Sequence, residues 1–518
     1  MFKNKALLFI LLFALFIRII KLGAFPVGFH SDEVRVAWNA VSILKTGHDD
    51  KGNFLPLYYN TFGDFRPTGI FYMVIPSIIL FGRSEFAVRF PPALIGALTV
   101  IPLYLFVKEL SKKTQITGHW PLATIASLLL AISPWHIDVS RATSEATIAA
   151  FLTLFALYYF LKLINSGSKK YIVYMSIFVF LSYFFYHSTR VITPLFLAGM
   201  AFYFREKKKL VLLTVLGAFL LTLLFGLDPN ARGRLNQVSI FGDIDTKYEL
   251  AHAGTRINNK YVIYAKRFFN EYAKYFSPDF LIGYKARPYR YITPGMGILT
   301  FAEGVLFVLG LIQIARKRQS ALPFLLLLIS PMPAALTTED SPNLMRSFYM
   351  VFFIAIISAY GLNFLLEIKN HQKFIRVVTA LFIILNSLFY FYMYFKHSAI
   401  HRPLLSVVDM DNSSYRNTGA KELAIRLDSL KTKYEKIIVT GGPDNIYPWY
   451  AFFTNKNPEN FNKNPKQFEN IYFSDLRCPS DDSFVQPNPD NLLAIDMWEC
   501  APESKIHDGS LIKILEKT

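Results

Sequence analysis

Long apolar runs separated by short polar stretches recur along most of this chain. Runs at 6–20, 91–109, 120–134, 146–163, 171–186, 191–204, 210–227, 295–314, 321–337, 347–366 and 374–395 each predict a helix able to cross a bilayer. Tilt or polar ends make up the length where a run falls short of about 20 residues. One more apolar stretch, "TGIFYMVIPSIILFG" (68–82), is short and carries Pro76, so it suits either a crossing helix or one lying along the surface. Beyond residue 396 the pattern changes. "TGAKELAIRLDSLKTK" reads as an amphipathic helix and "YEKIIVTGG" as a buried strand ending in a turn, which predicts a small α/β domain over 397–518. In "KYVIYAKRFFNEYAKYF" (260–276), Tyr261, Tyr264, Phe268, Tyr272 and Tyr275 share one helical face, with Lys266, Arg267 and Lys274 largely off it. That is the pattern of a helix lying in a membrane interface.

Basic loops set the orientation. Lys108, Lys112 and Lys113, the pair Lys169/Lys170, "REKKK" (205–209), "ARKRQ" (315–319) and the pair Lys369/Lys373 lie between runs. If 68–82 does not cross, all five fall on the same side as Lys3 and Lys5, the cytoplasm by the positive-inside rule. If it does cross, all five flip outward. The expected fold is therefore an all-α polytopic membrane protein with about 11 transmembrane helices in a module over 1–396. A first outer loop covers 21–90 and includes the juxtamembrane helix; a second is short, at 135–145, and a long one covers 228–294. The expected location is the plasma membrane, with a cytoplasmic N-terminus and an extracytoplasmic α/β tail.

Composition agrees: 53% of residues are hydrophobic and only 18% charged, with a mean hydropathy of +0.31. The net charge of +18 is then a topology signal and not a nucleic-acid footprint. The N-terminus, "MFKNKALLFILLFALFIRIIKLGAFP", begins like a secretory signal, but Arg18 and Lys21 follow its apolar run and no small-x-small cleavage site does. It predicts an uncleaved first span. The two cysteines, Cys478 and Cys500, lie in the tail, where an oxidising compartment would allow one disulfide; neither CxxC nor zinc spacing occurs.

The suggestive polar residues face outward. In "GFHSDEVRVAW" (28–38), Asp32 and Glu33 sit close to the membrane. Either Ser31 caps a helix whose first turn favours carboxylates, or the pair does chemistry. His30 adds only a weak metal-binding pattern. Arg89 stands in "EFAVRFPPALIGALTV", where a snorkelling arginine is the alternative. "SPWHIDVSRATSEAT" (133–147) gathers His136, Asp138, Arg141 and Glu145; an i,i+4 helix pair is the plain reading of Arg141 and Glu145. His187 and Arg190 sit at the turn "YHSTRVITP", and Arg346 closes "TTEDSPNLMR". Together, a carboxylate pair and four outward arginines suit an anionic lipid headgroup, because guanidinium binds phosphate bidentately and stays charged. A reaction expelling a lipid phosphate needs that charge stabilised and a carboxylate base to activate the incoming hydroxyl. Arginines serve a monophosphate donor without a metal, so neither metal nor other cofactor is expected.

With these motifs the chain resembles bacterial membrane glycosyltransferases of the GT-C fold, in the group of protein O-mannosyltransferases and aminoarabinose lipid A transferases. The matching stretches are "SDE", "TGHDDKGNFLPLYYNTFGDFRPTGIFYMVIPSIILFGRSEFAVRFPPALIGALTV", "SPWHIDVSRATSEATIAAFLTLFALYYFLK", "SPDFLIGYKARPYRYITPGMGIL" and "LMRSFYM". They fall within residues 1–366. The resemblance implies Asp32 as catalytic base, a functional Arg89, and a contribution from an acidic residue of the second outer loop, here Glu145. Relatives often carry Asp at that last position, and "PPL" where this chain has "RPTG" (66–69). The implied reaction is an inverting transfer of a hexose or pentose, mannose-like or other, from a polyprenyl-phosphate donor to a hydroxyl of a protein, glycan or lipid. Glu33 then orients Asp32 or the sugar, and Arg89, Arg141, His187, Arg190 and Arg346 are candidates for the lipid phosphate or sugar. Two rivals are a transporter or flippase of lipid-linked sugars and a scaffold that binds through its tail. A transporter calls for charged residues near mid-span, and the runs above are nearly free of them.

Overall fold

The computed structural model describes residues 4–61, 64–114, 121–206, 208–227, 238–254, 259–316, 318–369, 371–398, 419–440, 446–474, 492–496 and 513–516. Among the described residues, each of the eleven apolar runs contains helix, since a helix satisfies its own backbone groups where no water is at hand; the run 321–337 is split into Leu322–Ile329 and Met332–Ala335, and 295–314 is helical only from Phe301. The chain opens with α1 (Lys5–Ile19), α2 (Ser31–Thr46), the hairpin β1 (Tyr58–Thr61) and β2 (Asp64–Pro67), α3 (Gly69–Phe81), α4 (Glu85–Leu98) and α5 (Val100–Thr114). It continues through α6 (Leu122–Ile132), α7 (Pro134–Ser140), α8 (Glu145–Ser166), α9 (Lys170–Ser182), α10 (His187–Tyr203) and α11 (Lys209–Leu227). Helices Phe301–Ala315, Met350–Glu367 and Gln372–Tyr392 complete the longer apolar set.

Among the described residues, five helical stretches are long and apolar enough to cross a membrane: Glu85–Thr114, Glu145–Ser166, Lys209–Leu227, Met350–Glu367 and Gln372–His397. The pair α6 and α7, bent by 57° at Ser133, adds a sixth if it counts as one span. The other apolar helices are shorter. α3 has 13 residues, a length of about 20 Å against a hydrocarbon core of about 30 Å.

The chain forms two compact units. The first comprises Met1–Ile20, Leu57–Ile70 and Pro92–His397. Its helices Phe301–Ala315 and Met350–Glu367 meet through glycines. A Cβ on Gly361 would lie 2.1 Å from the Leu306 carbonyl oxygen, and one on Gly310 1.9 Å from that of Ile357. Only hydrogen fits there, which lets the backbones pack as small-residue membrane helices do. α11 and Gln372–Tyr392 instead turn leucines and phenylalanines outward, among them Leu216, Leu223, Phe374 and Leu385. The face of 260–276 that patterned as interfacial packs largely on protein. Tyr272 donates to the Leu328 carbonyl (2.6 Å), Tyr275 is buried with its hydroxyl accepting from the Asn343 N–H (3.0 Å), and Tyr261 and Phe269 point outward. Burial pushes the Tyr275 phenol up to about 12.

The second unit comprises Lys21–Pro56, Phe71–Pro91 and Ser398–Thr518, so α2 clusters with the tail and not with the helices that follow it in the chain. The tail carries a five-stranded sheet in the order β4 (Gln467–Phe468), β5 (Ile471–Ser474), β3 (Lys436–Thr440), β6 (Leu492–Asp496), β7 (Lys513–Glu516). β5, β3 and β6 run parallel, with Ile437 opposite both Ile471 and Leu493; the edge strands are antiparallel. Ile437, Ile438 and Val439 are all buried, as expected for a strand covered on both faces. α2 lies against helices Tyr447–Phe453 and Pro458–Phe461. The Trp38 ring meets Phe461 edge-on at 5.5 Å and Phe29 meets Phe453 at 5.8 Å. Cys478 and Cys500 lie outside the described residues.

Candidate active site

In the second unit, α2 begins at the Asp32/Glu33 pair. Its cap is His30 and not Ser31, which already occupies the first helical position. His30 Nδ1 accepts from the Asp32 N–H (3.0 Å), and the Glu33 carboxylate accepts in return from the His30 N–H (3.1 Å), a reciprocal capping box. Gly28, two residues ahead of the cap, takes a left-handed φ of 82° that glycine adopts without strain.

Glu33 has a second partner. Arg89, on α4, donates from Nε to Oε1 (3.0 Å) and from Nη2 to Oε2 (3.1 Å), a bidentate pair. The rest of its fork reaches backbone: Nη2 to the Gly28 carbonyl (2.6 Å) and Nη1 to that of Leu22 (3.3 Å). Its guanidinium also lies 5.4 Å from the Phe29 ring centre. Both residues are almost fully buried, at 1% exposure for Arg89 and 2% for Glu33. Asp32 differs: its side chain is 23% exposed, and it sits in the first turn, where the helix dipole favours an anion. The two carboxylates therefore sit in different surroundings. Glu33 is buried against Arg89, and Asp32 is partly exposed.

In the first unit, the sequence 133–147 is broken twice. Pro134 starts α7 after the bend at Ser133, and α7 stops at Ser140. Arg141 closes α7 while Glu145 opens α8, so the two do not share one helix and the expected i,i+4 geometry does not apply. Arg141 is fully buried; it donates to the Tyr394 hydroxyl (2.9 Å) and to the carbonyls of Ile17 (2.5 Å) and Ile20 (2.8 Å). Tyr394 lies on a π-helical turn, Met393–His397, of the kind that often marks functional sites. Asp138 accepts from the Thr293 N–H (2.9 Å) and hydroxyl and from the Tyr390 hydroxyl (2.7 Å). His136 accepts at Nδ1 from Arg18 Nη2 (2.7 Å), which puts its proton on Nε2. Arg18 was not among the expected site residues. Its signal was there, a cation in the last turn of the first apolar helix, but it served only to argue against cleavage.

His187 and Arg190 hold the β1–β2 hairpin. His187 Nε2 donates to the Phe65 carbonyl (2.6 Å), and Arg190 donates to the Tyr183 carbonyl (2.9 Å) while lying 5.3 Å from the Tyr58 ring centre. Arg346 binds Thr337 (2.8 Å), the Glu339 carbonyl (2.7 Å) and the Glu339 carboxylate. Every expected arginine is thus engaged by protein groups. Among the described residues, no three His, Cys, Asp or Glu side chains converge on a common point that would hold a metal ion.

Residues 66–226 match the family model described as dolichyl-phosphate-mannose-protein mannosyltransferase. That range contains Arg89, Arg141, Glu145, His187 and Arg190, and lies between Asp32/Glu33 and Arg346. No curated protein sequence matches the chain. Among solved structures, the oligosaccharyltransferase AglB from Archaeoglobus fulgidus, in complex with an inhibitory peptide and a dolichol-phosphate, is similar with a TM-score of 0.50 at 16% identity. The likeness covers 88% of this chain but only 64% of AglB, so the chain spans less than two thirds of that relative's length. ArnT from Cupriavidus metallidurans, bound to undecaprenyl phosphate, is similar with a TM-score of 0.51 at 12% identity, over 94% of this chain and 92% of its own. Residues 66–226 are thus similar to the dolichyl-phosphate-mannose-protein mannosyltransferase family, and the chain shares its GT-C fold with AglB and ArnT.

Proposed function

We propose that this protein is an inverting membrane glycosyltransferase that moves a sugar from a polyprenyl-phosphate donor to an acceptor hydroxyl at the outer face of the membrane. The observation that carries the reading is the unequal pair at the start of α2: Glu33 buried and locked to Arg89, Asp32 partly exposed beside it. A base must reach its substrate, and Asp32, with 23% of its side chain exposed, suits that role better than the buried Glu33. Asp32 takes the proton of the acceptor hydroxyl. The oxygen attacks the anomeric carbon as the bond from that carbon to the phosphate oxygen breaks, through an oxocarbenium-like transition state. The polyprenyl phosphate leaves with the bonding pair, and a guanidinium stabilises its charge. Arg141, Arg190 and Arg346 are the proposed cations, with His187 beside Arg190 and Glu145 on the acceptor side. Arg89 and Glu33 act as positioning residues. The sugar is mannose or another hexose or pentose, and no metal is required.

The proposed topology has eleven crossings, a cytoplasmic N-terminus, α3 along the outer surface and the tail outside. Support for α3 is its length; support for the tail is the basic-loop parity. In the plasma membrane the acceptor is a protein, glycan or lipid of the cell envelope.

The test is Asp32→Asn in full-length protein reconstituted in lipid with polyprenyl-phosphate mannose and a panel of related lipid-linked sugars. Donor consumption is read by mass spectrometry. Loss of about 100-fold or more is expected for a missing general base. Undiminished consumption in a correctly inserted D32N variant overturns the assignment. Lipid-linked sugars accumulating in a deletion strain identify the donor.

A further inference from the structure

One contact of the tail falls on the peptide group just ahead of α2. The Trp449 indole, itself 1% exposed, donates from Nε1 to the Phe29 carbonyl oxygen (3.1 Å). The N–H on the other edge of that same peptide belongs to His30, and it donates to the Glu33 carboxylate (3.1 Å). The preceding peptide is held too, because its Gly28 carbonyl accepts from Arg89 (2.6 Å). Two successive peptide planes ahead of α2 are therefore fixed from three directions: the tail, α2 itself and α4. A second contact reinforces the first about two to three turns along the helix. Asn462 accepts from the Trp38 indole N–H (3.0 Å) and donates to the Ser42 hydroxyl (2.9 Å).

We infer that the tail is a positioning element for the base, with Trp449 as its decisive residue. The inference rests on the reading of Asp32 as base. A hydrogen bond to a peptide carbonyl is directional, so the indole does more than fill space: it sets the tilt of the Phe29–His30 plane. That tilt decides where the His30 ring sits, and the ring accepts from the Asp32 N–H. The Asp32 side chain leaves the helix at an angle set by those groups. Arg89 and Glu33 fix the frame from inside, and Trp449 closes it from the tail. Small displacements of a reacting group lower the rate of the chemical step while leaving substrate binding alone.

The experiment uses the full-length protein in lipid, with two substitutions at Trp449. Trp449→Phe keeps an aromatic ring and removes the donor. The benzothienyl isostere of tryptophan keeps the shape as well and replaces only N–H by sulfur. Each is compared with Lys421→Ala, which removes a surface pairing of the tail with Glu85. With polyprenyl-phosphate mannose as probe, both Trp449 variants are expected to lower kcat by about tenfold, the effect of one lost hydrogen bond to a buried carbonyl, with KM for the donor unchanged. Hydrogen exchange, read without any substrate, is expected to speed up by about tenfold in the first turn of α2 and not in α8. Lys421→Ala changes neither. Unchanged exchange in α2, or a raised KM with wild-type kcat, overturns the inference. Asp32→Asn run alongside separates the two readings. If D32N is inactive while the Trp449 variants match wild type, the positioning role falls alone; if D32N keeps full activity, the base assignment falls and takes this inference with it.

Discussion

Arg18 and Arg89 are buried alike and spend their forks alike, yet they face opposite company. Arg89 meets a carboxylate, Glu33, in a bidentate pair. Arg18 donates to the Ser140 hydroxyl (3.1 Å), to the carbonyls of Ala14 (3.2 Å) and Ala131 (3.1 Å), and to His136, which must be neutral at Nδ1 to accept. The difference separates two uses of a buried guanidinium. Beside a carboxylate its charge is cancelled, and it works as a staple for the loop ahead of α2. Among neutral dipoles its charge persists, and the C-terminal end of α1 keeps a positive potential within an apolar body.

The largest test of this contrast is Arg89→Ala. It strands the buried Glu33 charge and should cost about 3–5 kcal/mol, whereas the double change to Arg89→Met with Glu33→Leu should recover most of that loss. Thermal unfolding in detergent reads both; a single variant as stable as the double would break the contrast. Arg18→Met comes next. It leaves neutral groups unpaired and no opposing charge, so it should cost about 1–2 kcal/mol. A penalty equal to that of Arg89→Ala would show that Arg18 has an acidic partner after all. Glu339→Gln sharpens the comparison from another side, because Arg346 is carboxylate-paired like Arg89 but the acid is 46% exposed. Its cost should be under about 1 kcal/mol and should shrink further in salt.

The smallest effect belongs to the tail. Although burial opposes it, hydrogen bonds from Lys456 (2.7 Å) and Tyr450 (2.9 Å) hold the Asp428 carboxyl below the usual carboxylate range. A lowered pKa contributes stability above the unfolded value, near about 4, and that contribution disappears as pH falls through the folded value. Asp428→Asn should therefore cost less than about 1 kcal/mol at neutral pH and nothing at strongly acid pH, read by tail tryptophan fluorescence.

The helices were legible because a bilayer demands them: each needs a continuous apolar run, and such runs stand out in any window. α3 was legible as the odd one, short and proline-bearing. What pattern reading cannot see is which distant surface an element will share. Trp38, Phe461 and Trp449 look like ordinary aromatic core residues in a chain with 49 phenylalanines and 29 tyrosines, and nothing local ties α2 to the tail. The candidate site was readable as residue types and not as partnerships. Asp32, Glu33 and Arg89 were all singled out, but the bond joining the last two spans a separation of 56 residues. Serine is the stronger cap by propensity, so Ser31 was expected where His30 does the capping. Arg141 and Glu145 invited a helix pair because the break between α7 and α8 carries no proline of its own.

Trp38 and its Asn462 partner are 424 residues apart, and Phe29 and its Trp449 partner 420. Translation at about 5–20 residues per second puts about 20–80 s between the synthesis of α2 and the arrival of the segment that clamps it. Through that interval α2 must persist with an aromatic face uncovered, while almost every helix of the first unit has already been synthesised. Maturation of this protein is therefore ordered in time: its earliest folded surface is the last to be completed, and a nascent chain stalled short of residue 449 carries α2 without the indole that sets its first turn.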